Sequence, residues 1–276
     1  MKLDLNTVWS RGVELVSGNF SLLVVIAGVF LMLPTLAMYL LIPDMMTLAN
    51  PAADPDIVAA RMGEMLGPIM GYGLVAAIIQ FAGYGALIAL MGKSRPTVGE
   101  SIASGFKIVP STLVVLIVFV LAYFIGGVIV ILPFSILAGI AGSPTIGLIG
   151  IIPVLLFVIW LMARLSMTMP VMVLEENLNP FTAMGRSIAI TGASQWMIML
   201  FWVVLMVTFT IISFLFNGVF GLIAAIMGTG TIGLLIIGLA NGVTALASGV
   251  LICALATAMH GQLSGPSVET IEETFD

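Results

Sequence analysis

The chain has 276 residues, of which 61% are hydrophobic and only 8% charged, with a formal net charge of −5. Soluble domains are about 45–50% apolar and about 25% charged, so too few polar side chains exist here to cover a globule in water. The same figures exclude a disordered chain, a basic nucleic-acid binder and, with a single cysteine, a disulfide scaffold. They leave an all-α polytopic membrane protein.

The chain opens on an amphipathic segment. Leu5, Val8, Trp9, Val13 and Val16 recur at helical spacing, with Asp4, Arg11, Glu14 and Ser17 elsewhere on the wheel. Such a helix either lies along the membrane interface, apolar face inward, or extends the following span into the cytoplasm. The first span, 20–42, carries Pro34 and is too long for a removable leader. An acidic outer loop follows over 43–66, with Asp44, Asp54, Asp56 and Glu64, and Asp54-Pro55-Asp56 reads as a helix start.

The second span covers 67–91. A second amphipathic segment sets Val98, Ile102, Phe106 and Val109 against Glu100, Ser104 and Lys107. It leads into span three at 111–132, an uncharged connection at 133–146, and span four at 147–169, where Pro153 predicts a local kink, as Pro34 does in span one. A third segment sets Phe181, Met184 and Ile188 against Thr182, Arg186 and Thr191. Span five at 196–216, a second uncharged connection at 217–230 and span six at 231–259 complete the set. The uncharged connections are apolar enough to dip into the interface or to prolong the helices before them.

Each span has 21–29 residues, enough for a hydrocarbon core about 30 Å thick at 1.5 Å per residue. They must be helices, because unpaired backbone in lipid is too costly and the runs lack strand alternation. Residues 1–263 form one membrane domain, and 264–276 a solvated acidic tail with Glu269, Glu272, Glu273 and Asp276. Seven of the eight Lys and Arg residues fall on one side, and only Arg61 on the other. This bias places both termini in the cytoplasm.

The element order repeats three times, as amphipathic segment, span, outer loop and span. At an offset of 90, Thr7-Val8, Ser21 and Leu23-Val24-Val25 meet Thr97-Val98, Ser111 and Leu113-Val114-Val115, and Pro43 meets Pro133. At an offset of 86, Gly99, Ser101, Ile102 and Ala103 meet Gly185, Ser187, Ile188 and Ala189. The expected units are about 4–91, 97–169 and 180–259.

Chemistry-bearing groups are scarce. One histidine, His260, stands at the end of span six, where the helix macrodipole favours it, and Cys253 lies inside that span. Neither has a sequence neighbour that would make a metal site or an activated nucleophile, so no cofactor, metal or catalytic cluster is expected. No Asp or Glu falls within a span, which argues against a carboxylate proton relay. Gln80, Asn217 and Asn241 are neutral polar groups that can tie helices together or line a pathway. Gly238, Gly242 and Gly249 form a small-residue stripe that marks span six as a packing helix.

Arg164 is the one charge within the expected spans, followed by Glu175, Glu176 and Arg186. These four can close an ionic latch across the turn between spans four and five. Alternatively, the two arginines can grip a lipid phosphate.

The run Arg164…Pro170-Val171…Leu174-Glu175…Asn179-Pro180-Phe181-Thr182-Ala183…Arg186-Ser187…Trp196 resembles the membrane domain of glycerophosphoryl diester phosphodiesterases and its stand-alone six-span bacterial relatives. The ending Ala258-Met259-His260-Gly261-Gln262 departs from the Tyr- and Arg-containing ending common there. The resemblance implies a fold without an activity, because the diesterase chemistry belongs to a separate metal-binding barrel whose residues are lacking here. The expectation is a non-enzymatic protein that organises the envelope by contacting lipids, a protein partner or a second copy of itself. The alternative is a small permease, exporter or lipid transporter with a pathway between the repeats.

Overall fold

In a computed structural model, residues 3–42, 55–92, 96–228 and 230–265 are described. Asp44, Asp54, Lys2, Lys93, Arg95 and the acidic tail residues Glu269, Glu272, Glu273 and Asp276 lie outside them. The described residues form helices and no strand: α1 Leu5–Gly18, α2 Phe20–Ala27, α3 Leu33–Leu41, α4 Pro55–Leu90, α5 Val98–Ala141, α6 Pro144–Ile149, α7 Ile151–Leu165, α8 Thr168–Leu174, α9 Pro180–Thr191, α10 Gln195–Met227 and α11 Thr231–Leu263. Six candidate spans are long and apolar enough to cross a membrane. The protein is an all-helical, multi-pass membrane protein.

Several boundaries differ from the sequence expectation, each for a physical reason. The acidic loop is already helical from Pro55, because hydropathy marks only the part of a helix that sits in lipid. The connections at 133–146 and 217–230 do not dip back. Instead α5 and α10 run on to Ala141 and Met227. They stop at Gly142 and Gly228, whose φ angles of 61° and 89° suit a residue without a Cβ. Behind Gly142, the Ser143 N–H reaches back to the Ala138 carbonyl at 3.1 Å and closes the helix.

The prolines also act differently from one another. Pro34 lacks an N–H and crowds the carbonyl four residues before it. The chain answers with a π-helical turn over Gly28–Met32, joining α2 to α3 without ending the span. Thr35 Oγ1 donates to the carbonyl of Leu31 at 2.7 Å, and the Tyr72 hydroxyl donates to the carbonyl of Pro34. Pro153 falls in the first turn of α7, where its missing N–H has no helical partner to lose. Span four breaks three residues earlier, at Gly150, where an added Cβ would meet Phe134 Cβ at 2.7 Å.

Of the three amphipathic segments, α1 and α9 are separate helices, whereas the second is continuous with span three in the 44-residue α5. All three begin on a cap. Asp4 accepts from the Asn6 N–H at 3.0 Å and the Thr7 hydroxyl at 2.6 Å, and these bonds, Thr7 foremost, hold its carboxyl below the usual range. Thr97 and Glu100 form a capping box, and Asn179 accepts from the Phe181 and Thr182 N–H groups.

The faces that turn inward match the hydrophobic ones only in part: Val8 and Val109 are buried, but the large aromatic residues are not. Trp9, Phe106 and Phe181 are 46%, 48% and 65% exposed, whereas Gly12, Ser101 and Ala183 are buried. Lipid is as apolar as a core, so hydrophobicity alone does not select the inner face, and small residues that allow close approach do.

The chain forms two compact units, each assembled from segments distant in sequence: Met1–Gly12, Ile108–Val207 and Leu255–Asp276 in the first, Val13–Lys107 and Thr208–Ala254 in the second. In the second, α2, the π turn and α3 pack along α4 and the Gly238–Gly249 face of α11. A Cβ on Gly238 would meet Leu36 Cδ1 at 2.7 Å, one on Gly242 would meet Met32 Cγ at 2.9 Å, and one on Gly249 would meet Leu31 Cδ1 at 2.3 Å. Gly83 receives Phe30, whereas Gly67 and Gly71 face open space. The tightest approach is at Gly105, where a Cβ would lie 2.1 Å from the Ala82 carbonyl oxygen. The first unit centres on Ile108, Val171, Met172 and Ala183, where α8 and α9 meet α5.

Candidate functional site

The polar residues of the first unit gather around the turn that leaves α8. The helix ends at Leu174, and Glu176 adopts a left-handed φ of 51°, reversing the chain toward α9. The Ser111 hydroxyl donates to the Leu178 carbonyl and ties this turn to α5. Glu175, at the mouth of the turn, is the hub. Its carboxylate accepts from Arg186 Nε at 3.3 Å and stands 3.0 Å from His260 Nε2. A carboxylate has no proton to give, so Nε2 carries the hydrogen. His260 is buried, and the Arg186 side chain is 43% exposed.

The four latch residues therefore separate. Glu175 and Arg186 pair, Glu176 is exposed, and Arg164 bonds elsewhere. Arg164 ends α7, and its carbonyl accepts from the Ser187 hydroxyl at 2.8 Å, docking α9 onto α7. Its Nη1 donates to Thr191 Oγ1 over 3.4 Å, and its buried Nε has no partner. Among the described residues no carboxylate lies within ion-pair distance of it.

His260 is the residue whose partner sequence reasoning missed. No acid is near it in the chain, yet Glu175 meets it across 85 positions. The only signal available was scarcity, since a buried imidazole requires a polar partner and the described loops offer few. Gln262, two residues on, was also missed. Its Oε1 accepts from the Asp4 N–H at 3.1 Å, so the ending of α11 holds the cap of α1.

No family model, curated protein or solved structure matches this chain. The chemistry of the site must therefore be read from its geometry alone. Glu175 and His260 form an acid–imidazole pair, but among the described residues no hydroxyl or thiol bonds the ring, and no group of three His, Cys, Asp or Glu side chains could hold a metal. The cluster as built joins α8, α9 and α11.

Gln80, Asn217 and Asn241, the neutral polar groups expected within or beside the spans, belong to the second unit. Asn217 Nδ2 donates to the Ser213 carbonyl at 2.9 Å and Thr244 Oγ1 at 3.4 Å, linking α10 to α11. Asn241 donates to the Ile237 carbonyl of its own helix at 3.0 Å. Gln80 is half-buried, with no hydrogen-bond partner among the described residues. Cys253 is buried, its thiol directed at the Tyr84 carbonyl at 3.8 Å.

Proposed function

We propose that this protein is a non-enzymatic component of the bacterial inner membrane, with both termini in the cytoplasm, that contacts lipid or a partner protein and helps organise the envelope. The observation that carries this reading is the stripe of Gly238, Gly242 and Gly249, each filled by a side chain of the first span. A helix face occupied in this way leaves no path for a solute along it. The resemblance of residues 164–196 to the diesterase membrane domain supports the same reading.

Purification in native-lipid nanodiscs, with mass spectrometry of what is retained, tests it. A reproducible set of lipids or one stoichiometric partner is expected, with no saturable flux in proteoliposomes. One observation favours a permease instead: the amide oxygen of Asn217 is buried without a partner. Saturable solute flux that Asn217→Leu abolishes would replace the proposal with that reading.

A further inference from the structure

Arg164 stands at the end of α7 and Arg186 on α9, and only Arg186 is paired with a carboxylate. Glu175 holds Arg186 at 3.3 Å, whereas Arg164 has no carboxylate among the described residues. Arginine offers five N–H donors and cannot shed its charge at physiological pH. In Arg164 one donor makes a 3.4 Å contact to Thr191 Oγ1, and Nε is shielded from solvent without any bond. Thr191 cannot do more, since its single proton is directed to the Ser187 carbonyl at 2.8 Å, leaving only lone pairs for the guanidinium.

Gly192 forms one wall beside the guanidinium, where an added Cβ would stand 3.3 Å from Nη1. A charge held partly out of water without a counter-charge is costly, and the missing counter-charge must suit a planar fork of donors. A phosphoryl group does, because two of its oxygens can accept parallel bonds. Arg164 stands in the last turn of α7, which ends at Leu165. From a helix end, a long arginine side chain can reach toward headgroups.

We infer that Arg164 binds a phosphoryl group at the membrane boundary, supplied by an anionic phospholipid, and that Arg186 does not. This rests on the lipid-contacting reading above and names the chemistry of that contact. The full-length protein is reconstituted in phosphatidylcholine nanodiscs containing phosphatidylglycerol, and the retained lipid is counted by native mass spectrometry.

Wild type should hold phosphatidylglycerol about tenfold more strongly than Arg164→Gln. Arg164→Lys keeps the charge but loses the fork, and should fall between them while melting like wild type. Arg186→Gln should bind like wild type. Equal retention by wild type and both Arg164 variants overturns the inference and leaves the general reading standing. Loss of binding in Arg186→Gln also overturns it. A wild type that retains neither lipid nor protein sinks the general reading itself. In phosphatidylcholine-only discs, phosphorus NMR with inorganic phosphate separates the sources. Arg164-dependent binding tighter than that of phosphatidylglycerol keeps the phosphoryl chemistry and overturns the lipid origin.

Discussion

The two compact units are held together by different means. In the second, glycine notches on α4, α5 and α11 receive side chains or backbone without involving a charge. The first has notches too, with Gly126 facing Phe157 and Gly12 facing Leu255, but it adds directional contacts between distant segments that involve charged side chains: Glu175 to His260 and Arg186, and Gln262 to Asp4, beside Ser187 to the Arg164 carbonyl. Water drives neither arrangement inside the bilayer, where leaving lipid for a protein interior gains little hydrophobic free energy. Specificity there comes either from shape, where only a small residue fits, or from a polar partner that cannot be left unmade. The contrast predicts that added volume should damage the second unit most where backbone meets backbone, and that loss of charge should damage only the first.

The largest effect is expected at Gly105. Its missing Cβ would sit 2.1 Å from the Ala82 carbonyl oxygen and 2.9 Å from the Ala86 nitrogen, both backbone atoms that cannot swing aside. Gly105→Leu should cost more than about 3 kcal/mol and abolish monodisperse purification. Gly242→Leu should cost less, about 1–3 kcal/mol, because the first atom met is Met32 Cγ at 2.9 Å, and the nearest backbone atom, the Met32 carbonyl oxygen, is 3.1 Å away, a full ångström farther than at Gly105. Detergent melting orders the two. If Gly105→Leu melts within a degree of wild type, steric notches do not hold this unit.

On the polar side, Glu175→Ala removes the acceptor of a buried imidazole and should cost about 1–3 kcal/mol. Arg186→Gln should cost under about 1 kcal/mol, because that pair is solvent-exposed. A double-mutant cycle between Glu175 and His260 isolates the bond itself, and a coupling above about 0.5 kcal/mol is expected. Additive single effects would mean that the two side chains merely adjoin.

The same contrast explains what was legible in the sequence. Six spans could be read from length and hydropathy because lipid imposes both on a helix. The glycines of α11 were legible as a stripe, since spacing alone places them on one face. Their occupants, Leu31, Met32 and Leu36, were not, because any apolar span could have offered similar knobs. The apolar faces of the amphipathic helices were legible only in part: Val8 and Val109 are buried as hydrophobicity suggests, whereas Trp9, Phe106 and Phe181 are exposed, and Gly12, Ser101 and Ala183 are buried. Polar partners were legible only where they are local, as with Glu175 and Arg186. His260 and Gln262 find theirs through tertiary structure, across 85 and 258 positions.

The smallest predicted effect separates charge from backbone at the turn itself. Glu175 and Glu176 are adjacent acids with opposite roles, since the first bonds through its carboxylate and the second contributes a left-handed φ of 51°. A residue with a Cβ is disfavoured there by about 1–2 kcal/mol, and glycine removes that strain while loosening the unfolded chain by about 0.4–1 kcal/mol. Glu176→Gly should therefore stabilise by about 0.5 kcal/mol, although it deletes the same charge whose loss at Glu175 destabilises. Glu176→Val, β-branched and ill-suited to positive φ, should destabilise by about 1 kcal/mol or more. Melting both variants beside Glu175→Ala decides the matter. If Glu176→Gly lowers stability as Glu175→Ala does, negative charge rather than backbone geometry governs this turn, and the division of labour between the two glutamates fails.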